Sequence, residues 1–115
     1  MLSQIRFWIP AMLWAALIFA VSARSSVPVP GTWGADKVMH FGAFAVLGWL
    51  LAFAAHRSGV SPLWPVLLGL LYAASDEWHQ HFVPGRSVEF GDWIADALGV
   101  AAGVWGYRHW VRRPA

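Results

Sequence analysis

The sequence has no cysteine, so neither a disulfide framework nor thiolate chemistry is open to it. Charge is scarce as well: 12% of its 115 residues are Asp, Glu, Lys or Arg, against 58% hydrophobic. That balance excludes an ordinary soluble domain, and with nine tryptophans and a mean hydropathy of +0.51 it points to a membrane protein. No internal repeat, low-complexity tract or zinc signature of the H-E-x-x-H type is present. Ser75 and Ser87 have no evident triad around them. The pI of about 9.7 comes from a small, scattered basic excess, which on a membrane protein sets topology and does not imply a nucleic-acid partner.

What is present is four apolar stretches, residues 5–22, 36–56, 62–82 and 90–110. Each approaches the length of about 20 residues that a bilayer-spanning helix needs. The expected fold is all-α: one domain over residues 1–115, an integral membrane four-helix bundle with antiparallel neighbours and short loops. The first stretch has a second reading. Arg6, an apolar run and then Val21-Ser22-Ala23 also match a cleaved signal peptide, although the run is long for one and Pro10 lies at its start. The Ser/Pro/Gly-rich segment 23–35 is expected to be an extended loop, because Pro28 and Pro30 prevent regular pairing. Pro84-Gly85 is a turn signal. With four spans, Arg6, Arg57, Arg108, Arg112 and Arg113 fall on one side, and Arg24, Lys37 and Arg86 on the other. Five against three places both termini in the cytoplasm by the positive-inside rule. Trp33, Trp78 and Trp93 then suit an outer aromatic belt, and Trp8, Trp64 and Trp110 an inner one.

All six acids fall on the outer side, five of them between Ser75 and Asp96. Helical spacing sorts them. Asp92, Asp96, Gly99, Gly103 and Gly106 step by four and three, so they form one stripe, whose glycines let a neighbouring backbone approach. Gly69, Ala73, Asp76 or Glu77, and Gln80 form a similar stripe on the third helix, and Asp36 and His40 share a face of the second. Three helices thus aim polar groups into the bundle at one level. Six acids there face three basic residues. The imbalance admits protonated carboxylates, a bound cation, or a site open to water and a ligand, and intramembrane ionisable groups are by default functional. The alternative is a structural hydrogen-bond network. Glu89, in a loop, reads as solvated. His79 and His81 stand two apart and point to nearly opposite sides, so they cannot share an ion while both are helical. His56 and His109 read as interfacial. The sequence requires no cofactor; if a divalent cation binds, its ligands come from His40, Asp36, Glu77 and Asp92. Arg86, after the Pro-Gly turn, has a guanidinium fork suited to a carboxylate or phosphate at the mouth.

These residues resemble the VanZ-like family of bacterial membrane proteins. The resemblance rests on Asp36-Lys37-x-x-His40-Phe41, Asp76-Glu77-x-x-Gln80, Pro84-Gly85-Arg86-Ser87 and Asp92-x-x-x-Asp96-x-Leu98-Gly99, in that order over the last three helices. Asp96 departs from it, standing where many relatives are expected to have asparagine. The resemblance implies a multi-span bundle in the bacterial cytoplasmic membrane and an association with resistance to the glycopeptide teicoplanin. The expected ligand-binding set is Asp36, Lys37, His40, Asp76, Glu77, Gln80, Arg86, Asp92 and Asp96. Three functions stay open. The first is an envelope protein that binds an amphiphile, a lipid-linked cell-wall component or a glycopeptide at the outer face. The second is a hydrolase or transferase acting on a lipid headgroup, with Glu77 or Asp92 as general base and His40 as proton shuttle. The third is a structural or assembly subunit.

Overall fold

The computed structural model describes residues 2–23, 33–84 and 90–112. They form four helices. The first, α1, is α-helical over Leu2–Ile5, tightens to a 3-10 turn over Arg6–Trp8 and resumes as an α-helix over Ile9–Ser22. The tightening has a local cause at Pro10. Proline has no N–H to offer the carbonyl of Arg6, and its ring crowds that carbonyl. The Arg6 carbonyl instead accepts from the Ile9 N–H, one residue early.

The second helix, α2, runs over Trp33–Ser58, the third, α3, over Leu63–Gln80 and the fourth, α4, over Phe90–Val111. The start of α2 at Trp33 lies three residues before the expected 36, inside the segment read as a loop. The prolines that motivated that reading stop at Pro30, so nothing in Trp33-Gly34-Ala35 bars a helix. Gly59 ends α2 with φ +73°. Its N–H bonds to the His56 carbonyl at 3.3 Å, and the Val60 N–H to the Ala55 carbonyl at 3.0 Å, the two bonds of a Schellman motif. Ser61 then satisfies the start of α3, accepting from the Leu63 N–H at 3.2 Å. At the far end of α3 the chain leaves through tight turns at residues 81–84, and Pro84 bars further helix.

Contacts along the helices set the topology. Lys37 and His40 meet Asp92 and Asp96, while further along Trp49 and His56 meet Tyr107, so α2 and α4 run parallel. Trp8 reaches Ser58 and Trp14 reaches Ala43, so α1 runs antiparallel to α2. Tyr72 reaches Ala15 and Gln80 reaches Ser22, which sets α3 parallel to α1. The result is an up-down-up-down bundle. Its tightest seam lies between α2 and α4. A Cβ added to Gly99 would strike the backbone of Phe41 and Ala45, and one added to Gly103 the backbone of Ala45 and Trp49. From the other side Gly48 admits the backbone of Val100, and Gly69 of α3 admits the Val100 side chain. The core is therefore built of small residues and a few large ones: Ala54, Ala73, Val100, Phe44 and Leu47 are all essentially inaccessible. The outside is greasy, with Leu13, Leu71, Leu98 and Trp105 each more than half exposed.

Among the described residues two helical stretches, Ser3–Ser22 and Lys37–Ser58, are long and apolar enough to cross a membrane. In α3 and α4 the acids fall inside the helices themselves and lower their hydropathy.

Candidate functional site

One end of the bundle gathers the polar side chains. Three helix positions set them there: the first turns of α2, the last turns of α3 and the first turns of α4. His40 is the hub. Its Nδ1 lies 2.8 Å from Asp96 Oδ1 and 3.8 Å from Glu77 Oε1, and its Nε2 lies 3.7 Å from Asp92 Oδ2. Lys37, one turn before His40, donates to Asp92 Oδ1. Gln80 Nε2 donates at 3.4 Å both to Asp76 Oδ2 and to Ser22 Oγ, which ties α1 to the same end.

Burial is deep. Asp76, Glu77, Gln80, Asp92 and Asp96 are all at least nine-tenths buried, and Asp96 is fully so. Asp92, in the first turn of α4, also sits where the helix dipole favours a negative charge. Hydrogen bonding does not saturate the cluster. Among the described residues, neither carboxylate oxygen of Glu77 has a hydrogen-bond donor, and neither does Asp96 Oδ2. The Gln80 carbonyl oxygen is likewise without one. A buried carboxylate oxygen with no donor is costly, so groups from outside the cluster are favoured as partners. His40, Glu77 and Asp96 each offer one donor atom, and the three atoms lie within 4.8 Å of one another, a spacing that a metal ion could span.

Of the residues expected at the site, Lys37, His40, Asp76, Glu77, Gln80, Asp92 and Asp96 lie together. Asp36 is in the first turn of α2, but its side chain is outside the described residues, as are Arg86 and Glu89 altogether. His79 is not part of the cluster: its ring stacks on Phe19 at 4.3 Å, and His81 follows the end of α3. Ser22 was not among the expected residues. It is buried, and its only sequence signal is a hydroxyl in the last turn of an otherwise apolar helix. At the opposite end of the bundle a cavity of about 330 Å³ is lined by His56, Pro62, Pro65, Tyr107, Arg108 and Arg112 among others. There His56 Nδ1 and the Tyr107 hydroxyl lie 3.0 Å apart.

A sequence profile of the VanZ/LLP1 family matches residues 5–112. No curated protein and no solved structure matches the chain.

Proposed function

The chain belongs to the VanZ/LLP1 family, and from that premise we propose that it is a four-span envelope protein whose acidic end binds the polar headgroup of an amphiphile. One observation carries the reading. Both carboxylate oxygens of Glu77 and the Oδ2 of Asp96 are buried with no donor among the described residues, so a ligand bearing amine, amide or hydroxyl donors gains what the protein does not supply. The resemblance to teicoplanin-resistance proteins makes a lipid-linked cell-wall component or a glycopeptide the ligand class of choice.

The membrane placement rests on lengths and surfaces. At about 1.5 Å per residue, α3 and α4 extend roughly 27 and 33 Å, comparable to the hydrocarbon thickness. Their outward residues, Leu71, Leu98 and Trp105, suit lipid. The hydrogen bonds from Trp8 and Trp14 of α1 to α2, and from Tyr72 to the Ala15 carbonyl, support a retained first helix over a cleaved signal. The excess of basic residues at the opposite end supports an acidic end that faces outward.

A second reading has its own support. The short contact of His40 Nδ1 with Asp96 Oδ1 orients an imidazole as a general base requires, so hydrolysis or transfer at a lipid headgroup is the alternative. Purified protein in lipid nanodiscs separates the two, since saturable headgroup or glycopeptide binding without product is expected here, and turnover is the mark of an enzyme. Glu77→Gln and Asp92→Asn should each reduce binding at least tenfold, Glu77→Gln with the melting temperature unchanged or higher and Asp92→Asn with a lower one, because Lys37 loses its charged partner. Wild-type binding by both variants refutes the site.

A further inference from the structure

We infer that the acidic end of the bundle holds one divalent transition-metal ion, of which Zn²⁺ fits the donors best, bound by His40 Nδ1, Glu77 and Asp96. The inference goes beyond the headgroup reading at the same site: a cation takes the place of the ligand's donors at Glu77 and Asp96 and offers its open position to an anionic, phosphate-bearing headgroup.

The donor set comes first. One imidazole and two carboxylates lie between the thiolate sites of soft ions and the all-oxygen cages of Ca²⁺ and Mg²⁺. Three protein donors leave the fourth position of a tetrahedral ion open to a ligand. The three come from three different helices, so only the assembled bundle presents them.

The distances fit with small movements. Around a tetrahedral ion with bonds of about 2.0–2.1 Å, donors stand roughly 3.4 Å apart. His40 Nδ1 and Glu77 Oε1 are 3.8 Å apart and need to close slightly, while Asp96 Oδ1, at 2.8 Å, needs to open slightly. The third pair, Glu77 with Asp96, lies within 4.8 Å and closes toward the same spacing.

The independent support lies in the atoms around the donors. Glu77, only 6% exposed, turns both carboxylate oxygens into the bundle with no hydrogen-bond donor among the described residues. Asp96, fully buried, keeps Oδ2 in the same condition. A cation bound by both side chains offsets the negative charge that leaves these oxygens costly to bury. On the far side of the imidazole, His40 Nε2 lies 3.7 Å from Asp92 Oδ2, and Asp92 is held by Lys37. At 3.7 Å this is a charge contact and not yet a hydrogen bond; it sets a carboxylate behind the ring, the side from which metal-binding histidines are commonly oriented.

The test uses tag-free protein in detergent, washed with chelator and titrated with Zn²⁺ and, for its spectrum, Co²⁺. One ion per chain is expected by elemental analysis, with the visible absorption of four-coordinate Co²⁺. Glu77→Gln and His40→Ala should weaken binding more than the roughly 10–100-fold expected of the outer variant Asp92→Asn. His56→Gln, at the opposite end, should bind as wild type does. No stoichiometric ion on the wild-type protein overturns the inference, as does wild-type affinity in folded Glu77→Gln and His40→Ala. If these variants melt, wild-type uptake together with the Asp92→Asn loss decides. Headgroup binding is measured on the same chelator-washed protein. Headgroup binding with no ion uptake sinks the metal alone; ion uptake with no headgroup binding, with or without the ion, sinks the headgroup reading and leaves the metal standing.

Discussion

Gly103 shows what a single missing side chain contributes. Its hydrogen leaves room for the Ala45 carbonyl and the Trp49 N–H of α2, positions that a Cβ would occupy. Ala101, two residues earlier, points outward. Gly103→Leu should therefore lower stability by about 1–3 kcal/mol or more, as overpacking against fixed backbone does. Ala101→Leu should stay within about 0.5 kcal/mol, as surface changes do. Thermal unfolding in one detergent checks the pair, and greater damage from Ala101→Leu would reverse the assigned face of α4. That face was legible from spacing alone, because Asp92, Asp96, Gly99, Gly103 and Gly106 recur at the helical period. The inward position on α3 was harder to read. Asp76 and Glu77 are neighbours about 100° apart, and spacing offers one or the other. Both are buried, because α3 has partners on two sides, α1 through Ser22 and the α2–α4 pair through His40.

At the scale of elements, the ends matter as much as the stripes. Gly59 closes α2 in a left-handed conformation from which the two capping bonds follow. An L side chain there meets strain of about 1 kcal/mol. Gly59→Ala should lower the melting temperature modestly without moving ligand binding, since the cap lies at the end of α2 remote from His40. Glycine's presence after a long apolar run signals such a stop, whereas the α2 start was obscured because a proline-rich segment precedes it. Pairings between elements were not legible in the same way. His56 and Tyr107 stand 51 residues apart and meet only because α2 and α4 lie parallel in one register, which no local periodicity encodes.

For the whole molecule, the two ends differ in kind. One gathers buried acids around His40; the other carries Arg57, Arg108 and Arg112 beside His56 and Tyr107. If the basic end is cytoplasmic, both termini are too. Reporters fused at the C-terminus that work only in the cytoplasm should be active, and those that need export should be silent. The opposite pattern would invert the orientation and put the acidic site inside the cell.

The seam between α2 and α4 also has a consequence for how the protein is made. The helices that touch most closely are not consecutive, so the ribosome delivers α2 well before its partner exists. Until α4 arrives, Gly48 faces no Val100 backbone and His40 has no Asp96 to meet. α4, synthesised after α2 and α3, is thus the helix that completes the site, and until then a nascent chain holds half-built polar surface in a membrane that tolerates it poorly.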